Sequence, residues 1–200
     1  NTGGMGAYSP SRLINKELDG KIIEKIIKPT LKGLQDQNIK YKGFLYAGLM
    51  IVNNEPYLIE YNVRMGDPEC QTILPMLYTD LLEIIESTID EKLENIEIQW
   101  LGKKSLCVVL CSNGYPDHYE KNIEIKNLNK LNLDKNNYLF HAGTEKIDEK
   151  ILAIGGRVLN FTSLSKDYGE SRKNIHENLK KLNWNNGFYR KDIGHKVIDK

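Results

Sequence analysis

The first part of the chain combines a helical pattern of apolar residues with a predicted β-hairpin. Apolar residues recur at three- and four-residue intervals from Leu18 to Gln37, which predicts an amphipathic helix, and Pro29 predicts a kink or break within it. An extended segment, Phe44–Val52, leads into the turn sequence Asn53-Asn54-Glu55-Pro56. The returning strand, Tyr57–Asn62, completes the hairpin.

The second half of the chain changes to short β-like runs separated by turns. A helical pattern with Asp80 near its start precedes this change, which lies at about residue 94. Gly155-Gly156 fits a two-residue hairpin turn between the last two runs. A final helix is predicted from Lys166 to Leu182, with Ser165 as its N-cap. The predicted β-runs are 105–111, 123–125, 138–141, 151–154 and 157–162.

Composition is typical of a globular protein and narrows the classes of partner. The 200 residues are 40% hydrophobic and 28% charged, with a net charge of +1. We therefore expect neither nucleic acid nor an anionic membrane as a partner. The longest apolar run, Phe44–Val52, is far shorter than the ~20 residues of a membrane span. The chain opens at Asn1 inside a glycine-rich loop, residues 1–11, so we expect a fragment of a longer protein.

The three cysteines show no metal-ligand spacing and no even pairing. Cys107 and Cys111 lie in an apolar strand-like run, and Cys70 follows the charged loop after the hairpin. We interpret them as free thiols, buried in the case of Cys107 and Cys111, which favours a cytoplasmic location.

The strand ending at Asn62 carries the sharpest candidate chemistry. Side chains two positions apart in a strand share a face, so Glu60 and Asn62 project together, whereas Ile59 and Tyr61 are expected to face the core. A carboxylate and an amide carbonyl are hard oxygen donors that suit Mg²⁺. Arg64 follows at once. The alternative is an exposed hairpin whose polar side chains are only solvated.

Two further segments are rich in glycine and lie where loops are expected. The first, Asn1–Pro10, has three glycines whose backbone N–H groups can approach an anion, although it matches neither a P-loop nor a dinucleotide-binding fingerprint. The second pairs His141-Ala142-Gly143-Thr144 with Gly155-Gly156-Arg157 at strand ends. The alternatives are a flexible loop for the first segment and ordinary turn glycines with a structural histidine for the second.

A group of segments along the chain carries a likeness to known proteins: Asn1–Pro10, Tyr41–Met50, Glu60–Gln71, Gly114–Pro116, Phe140–Thr144, Gly155–Val158 and Tyr189–Gly194. Taken together and in order, these segments resemble the glycinamide ribonucleotide synthetase family of ATP-grasp ligases. The resemblance covers essentially the whole chain and implies an α+β fold. Residues 1–95 would form the C-terminal part of an ATP-grasp domain, and residues 96–200 a small β-rich C-terminal domain with one main helix.

The resemblance implies an ATP-dependent ligation of glycine to 5-phosphoribosylamine through glycyl phosphate, in purine biosynthesis. Glu60 and Asn62 match the family's ligands for Mg²⁺ or Mn²⁺, and Arg64 matches a catalytic position that stabilises the transferring phosphoryl group. A monomer is expected. The residues expected to bind substrate are Gly3, Gly4, Met5, Gly6, Tyr8, Ser9, Gly66, Asp67, Pro68, Glu69 and Arg157.

Departures from the family pattern are apolar or neutral exchanges beside the chemistry. Tyr61, Val63, Met65 and Cys70 replace residues that are more often Phe, Ala or Cys, Phe and Thr. The absence of a carboxylate from Phe44–Val52 favours this ligase over relatives such as biotin carboxylase. Another ATP-grasp ligase and a non-catalytic binding module stay open as alternatives. The family's N-terminal domain and ATP lid would precede Asn1, so we expect the 200-residue chain alone to lack ligase activity.

Overall fold

A computed structural model describes residues 3–198, which form two compact units. The first, called the sheet unit, comprises residues 3–9, 67–76 and 101–198. The second, the hairpin unit, comprises residues 10–66 and 77–100. No helix within residues 3–198 is long and apolar enough to cross a bilayer. The predicted domains, 1–95 and 96–200, stay a prediction.

The sheet unit is built on a five-stranded antiparallel sheet. Its order is β1-β4-β9-β6, and β10 pairs with the far end of β4. A second, three-stranded sheet has the order β5-β8-β7. The strands of this unit are β1 Gly6–Ser9, β4 Lys104–Ser112, β5 Ile123–Glu124, β6 Asn137–His141, β7 Thr144–Ile147, β8 Lys150–Ala153, β9 Arg157–Ser165 and β10 Gly187–Phe188.

The two faces of strand β4 differ in chemistry because side chains alternate along a strand. Leu106, Val108 and Leu110 enter the main core together with Phe161 of β9 and Ile175 of the last long helix. The intervening side chains, Ser105, Cys107, Val109 and Cys111, face the other way, where Met5 packs against Val109 and Cys111. The five-stranded sheet therefore has an apolar face that a helix covers and a more polar face that is left for other elements.

That long helix, α5, spans Tyr168–Leu179 and starts two residues later than the predicted start at Lys166. Its N-cap is Asp167, whose carboxylate accepts a 2.8 Å hydrogen bond from the Glu170 amide, so the prediction of Ser165 as N-cap is wrong. Ser165 is instead the last residue of β9, where its hydroxyl contacts Ser171 at 2.7 Å. The remaining helices of the unit are α3 Glu69–Ile73 and α6 His195–Ile198, with 3₁₀ turns at Leu74–Met76 and Leu128–Lys130.

Gly155-Gly156 does not form the predicted two-residue hairpin, because β8 and β9 belong to different sheets. The residues carry the chain from one sheet to the other where two loop segments cross. A Cβ on Gly143 would lie 2.7 Å from the Gly155 Cα, and one on Gly156 would lie 2.4 Å from the Tyr115 ring. Glycine is needed here for close approach between segments. The prediction of a loop over residues 1–11 is likewise wrong in part, because Gly6–Ser9 forms strand β1.

The hairpin unit pairs one long helix with a two-stranded sheet. The helix runs from α1, Lys16–Ile22, through a π-helical turn, Ile23–Ile27, into α2, Lys28–Asp36. Pro29 lies in the first turn of α2, directly after the π turn. The chain thus accommodates the proline with a change of helical register, since proline has no N–H to donate to the preceding turn.

The predicted hairpin is present as β2, Tyr46–Val52, and β3, Glu55–Asn62. Asn53 and Asn54 form the turn with φ of 51° and 61°, the left-handed conformation that a type I′ turn requires. Glu55 at the start of β3 pairs with Lys21 at 2.7 Å and Lys25 at 2.6 Å. These ion pairs fasten the turn to the helix.

A register shift interrupts the pairing of β2 with β3 near the end of the hairpin. Gly48 pairs with Glu60 but Leu49 pairs with Leu58, so Ile59 is an extra residue on β3. Its side chain is 65% exposed, and the expectation that Ile59 faces the core is wrong because of this bulge. Tyr61 does face the helix, where its hydroxyl contacts Thr30.

The rest of the hairpin unit is the predicted second helix. It is α4, Leu81–Ile89, and Asp80 caps it by accepting a 2.7 Å hydrogen bond from the Leu82 amide. A 3₁₀ turn, Leu93–Asn95, follows.

Removing the α5 cap should destabilise the sheet unit. We expect Asp167→Ala to lower the free energy of unfolding by about 1 kcal/mol, because the Glu170 amide loses its acceptor. Urea unfolding followed by circular dichroism measures this, with Lys166→Ala at the exposed neighbouring position as control. Equal stability of the two variants would contradict the assignment of Asp167 as N-cap.

Acid should loosen the hairpin from the helix. Hydrogen bonds from Lys21 and then Lys25 lower the pKa of Glu55 from 4.5 to about 2. A lowered folded-state pKa means that the stabilisation is present above pH 4.5 and is lost as the pH falls towards 2. We expect the stability difference between wild type and Glu55→Gln to shrink across that window in amide-exchange measurements. A difference that is constant from pH 6 to pH 2 would contradict this role.

Candidate functional site

Glu60 and Asn62 project from the same face at the end of β3. The Asn62 amide donates a 3.1 Å hydrogen bond to Glu60 Oε1, so their polar ends are adjacent. Glu60 is exposed and Asn62 is half-buried. Gly48, opposite Glu60 on β2, leaves room for that side chain, since a Cβ there would lie 3.0 Å from Glu60 Cγ. The predicted juxtaposition of the two donors is therefore confirmed.

The chemistry of this pair fits a divalent cation that takes oxygen ligands. Turning the Asn62 amide about its terminal bond would bring its carbonyl oxygen beside the Glu60 carboxylate while every other atom stays in place. Two protein oxygens leave most of an octahedral shell for water and phosphate oxygens, which is how Mg²⁺ is commonly held. No group of three or more His, Cys, Asp and Glu side chains within residues 3–198 offers a rival metal site.

Arg64 lies two residues beyond Asn62, in the loop that leaves β3. One of its guanidinium N–H groups donates to the Met65 carbonyl at 2.9 Å, and the side chain is exposed. A guanidinium has five N–H donors in a planar fork. An exposed guanidinium at this place in the loop is suited to an anionic group.

The loop at residues 67–69 belongs to the sheet unit and leads into helix α3. The Asp67–Pro68 peptide bond is cis. The buried Pro68 carbonyl accepts from both the amide, at 3.1 Å, and the hydroxyl, at 2.8 Å, of Thr72. Glu69 is half-buried as the first residue of α3. Gly66, the last residue of the preceding hairpin-unit segment, is buried.

Helix α3 lies on the polar face of the five-stranded sheet, and hydrogen bonds from two strands hold it there. Ser105 of β4 donates to the Thr72 carbonyl at 2.7 Å. Thr162 of β9 donates to the Gln71 carbonyl at 3.0 Å. The loop before α3 is therefore supported by the central strands through side chains that the sequence did not mark as functional.

Arg157, the first residue of β9, contacts two of the predicted substrate-binding segments. Its Nη2 is 3.0 Å from Asp67 Oδ2, and its Nη1 donates to the Asp67 carbonyl at 2.8 Å. The same Nη1 donates to the Gly4 carbonyl at 3.3 Å. Three segments far apart in sequence thus meet at one guanidinium, whose side chain is 29% exposed.

The predicted Gly3–Ser9 segment is divided between the two faces of the sheet. Met5 is buried beside Val109 and Cys111, and its carbonyl accepts from the Val109 amide at 3.1 Å. Gly6 lies against Ile193, since a Cβ built on Gly6 would be 2.6 Å from Ile193 Cγ2. The remaining predicted residues are Tyr8, which meets Tyr168 edge to face at 5.7 Å, the exposed Gly3, and Ser9, which pairs with Ser105.

The thiols near this region are not arranged for nucleophilic chemistry. Burial raises the pKa of Cys107 to about 12 and that of Cys111 to about 11. Burial, and then the Asp67 charge, raise the pKa of Cys70 as well. All three are free cysteines, as predicted. They are protonated near neutral pH and act as packing groups.

Sequence reasoning missed Gln71, whose amide donates to Asp67 Oδ1 at 3.0 Å. Its own Oε1 is buried without a hydrogen-bond partner. The available signal was the spacing of four residues between Asp67 and Gln71, which brings side chains together on one turn of helix. That spacing is common and predicts no function by itself.

Comparison with known proteins gives two consecutive family matches along the chain. Residues 1–70 match the phosphoribosylglycinamide synthetase ATP-grasp (A) domain. Residues 105–196 match the phosphoribosylglycinamide synthetase C domain. Together the two models cover most of the chain.

Individual relatives agree with these matches. The chain is 45% identical over 193 residues to phosphoribosylamine–glycine ligase of Caldanaerobacter subterraneus, which is 96% of this chain and 46% of the relative. The crystal structure of the Thermotoga maritima phosphoribosylamine–glycine ligase matches with a TM-score of 0.77 and 32% identity, over 96% of this chain and 47% of that one.

A more distant likeness shows the fold alone. The biotin carboxylase domain of a thermophilic 2-oxoglutarate carboxylase matches with a TM-score of 0.62 at 11% identity, over 92% of this chain and 41% of that one. The α+β, ATP-grasp-type fold is thereby confirmed. The chain spans about half the length of the curated relatives it matches. With both family models and these relatives in agreement, the chain belongs to the phosphoribosylglycinamide synthetase family.

Proposed function

We propose that this chain supplies the metal-binding strand and the substrate loops of an ATP-dependent ligase that joins glycine to 5-phosphoribosylamine in purine biosynthesis. The observation that carries the proposal is the pair of adjacent oxygen-bearing side chains, Glu60 and Asn62, on one face of β3. Its family membership and relatives named phosphoribosylamine–glycine ligase support the choice of reaction.

The reaction joins a carboxylate to an amine in two steps. A glycine carboxylate oxygen attacks the γ-phosphorus of ATP, the bond to the β,γ-bridging oxygen breaks, and ADP leaves with glycyl phosphate as the other product. The amine nitrogen of phosphoribosylamine then attacks the glycyl carbonyl carbon. Phosphate leaves, the nitrogen loses a proton, and the amide of glycinamide ribonucleotide remains.

Glu60 and Asn62 would hold Mg²⁺ or Mn²⁺ by their oxygens. The bound cation would neutralise phosphate charge that develops during phosphoryl transfer. Arg64, in the loop that follows this pair, would donate guanidinium N–H groups to the transferring phosphoryl group or to the acyl phosphate. Its bidentate fork suits phosphate oxygens better than a lysine point charge would.

The loops of the sheet unit would bind the remaining substrate groups. The segment at Gly3–Gly4 would lie beside these groups, and Glu69 would offer a carboxylate that can pair with an amine. Pro68 would restrict the backbone between Asp67 and Glu69. The buried, protonated cysteines add no charge to this region.

Metal binding can be tested directly on the 200-residue chain. Mn²⁺ broadens NMR signals of nearby nuclei even when it binds weakly, so we expect it to broaden the Asn62 side-chain amide resonances. Glu60→Gln should abolish this broadening, because a neutral amide replaces the carboxylate. Glu83→Gln, at an acidic position in the first turn of α4, is the matched control. Broadening that survives in Glu60→Gln would remove this metal site.

Ligase activity is best tested in a chimera, since the chain covers only 46% of its Caldanaerobacter relative. The chain would replace the matched region of that enzyme, and product formation would be followed with ATP, glycine and phosphoribosylamine. We expect the chimera to be active, the 200-residue chain alone to be inactive, and Glu60→Ala in the chimera to lower kcat by about 10²-fold or more.

Substrate substitution in the same chimera separates this reaction from that of another ATP-grasp ligase. ADP release should require glycine, and amide formation should require phosphoribosylamine. A folded chimera that turned over ATP only with a different acid would overturn the proposed substrates. Unchanged turnover in Glu60→Ala would overturn the metal role.

A further inference from the structure

The structure assigns Arg157 a positioning role: we propose that its guanidinium is a brace that holds the Asp67–Glu69 loop and the Gly3–Gly4 segment in one fixed arrangement, and that Asp67 is its anchor. This role differs from direct substrate binding, the role expected from the sequence for both residues. The part of this inference that concerns substrate positioning rests on the proposed function.

The guanidinium of Arg157 contacts protein groups on two other segments of the sheet unit. Nη2 pairs with Asp67 Oδ2 at 3.0 Å, and Nη1 is shared between the carbonyls of Asp67, at 2.8 Å, and Gly4, at 3.3 Å. These partners lie 90 and 153 residues away in sequence. A planar fork can satisfy a carboxylate and carbonyls at once because its N–H groups point in fixed directions.

The Asp67 carboxylate is held from both sides. Oδ2 faces Arg157, and Oδ1 accepts from the Gln71 amide at 3.0 Å. Gln71 itself is fixed by the Thr162 hydroxyl, which donates to its backbone carbonyl at 3.0 Å. Both carboxylate oxygens are thus engaged, so the side chain is placed to orient the loop rather than to bind a cation or an amine.

Gly4 is shaped to accept the guanidinium. Its φ is +73°, and a Cβ built on it would lie 2.8 Å from Arg157 Nη1 and 3.3 Å from Cζ. A side chain at this position would therefore both strain the backbone and displace the fork. The positive φ and the close approach of Arg157 each favour glycine at residue 4, which gives Gly4 a structural reason that is independent of any ligand.

The 200-residue chain can test the brace without any substrate. Two amides report on the two braced segments: Thr72, bonded to the Pro68 carbonyl, and Val109, bonded to the Met5 carbonyl. Arg157→Lys keeps the charge that pairs with Asp67 but removes the planar fork that reaches the carboxylate and the two carbonyls together. We expect Arg157→Lys to speed hydrogen exchange of both amides about tenfold or more.

Arg190 provides the matched control within the same unit. It makes a two-pronged contact with Asp192, at 2.9 Å from Nε and 2.6 Å from Nη2, and Asp192 is only two residues away in sequence. We expect Arg190→Lys to leave exchange at Thr72 and Val109 unchanged. Wild-type exchange of both amides in Arg157→Lys, with the fold verified by circular dichroism, would overturn the brace.

Steady-state kinetics of the chimera distinguish positioning from direct contact. If Arg157 positions the loops, Arg157→Lys should lower kcat by about 10²-fold whether glycine or phosphoribosylamine is the varied substrate. The reason is that a small displacement of the supporting loops slows the reaction. Direct contact would instead raise KM for phosphoribosylamine or glycine alone, and that result would overturn the assignment. An inactive wild-type chimera would count against the proposed function, whereas the exchange result would still decide the brace.

Discussion

The antiparallel pairing of β4 with β9 is the constraint on which the sheet unit depends. The two strands pair from Lys104 with Ser165 to Cys111 with Arg157. Because side chains alternate, this one ladder places an apolar row against α5 and a row of hydroxyls against α3. The same strands therefore build the core and support the loops that carry candidate chemistry. Arg157 lies at the end of this ladder, where backbone pairing gives way to side-chain contacts.

Much of the local structure could be predicted from the sequence because it depends on neighbours along the chain. The hairpin at Asn53-Asn54, the helix capped by Asp80 and the buried thiols all follow from turn chemistry, capping and apolar runs. The wrong predictions concern segments whose structure depends on contacts with residues that are distant in sequence. Strand β1 was predicted as a loop because it starts at a glycine, Gly6, which is needed for packing against Ile193. Gly155-Gly156 was predicted as a hairpin turn because the local sequence does not show that β8 and β9 belong to different sheets.

The candidate site shows the same division. The shared face of Glu60 and Asn62 follows from strand geometry, so their spacing of two positions in the sequence was enough to predict it. The exposure of Ile59 was not predictable, since a bulge is set by pairing with β2. The contacts of Arg157 with Asp67 and Gly4 join segments 90 and 153 residues apart. No local pattern reports such contacts, and a motif-based reading treats all three residues as ligand-binding.

The extra residue at Ile59 also separates the strand pairing near the turn from the pairing at Glu60–Asn62, which would otherwise share one register. In an uninterrupted strand pair, gaining or losing one residue near the turn would send every later side chain to the opposite face. A bulge can absorb such a change by forming, moving or disappearing. Over evolution, the turn of this hairpin is thus free to vary in length while the acid–amide pair keeps its orientation, so insertions and deletions should accumulate before Ile59 and be excluded between Glu60 and Asn62.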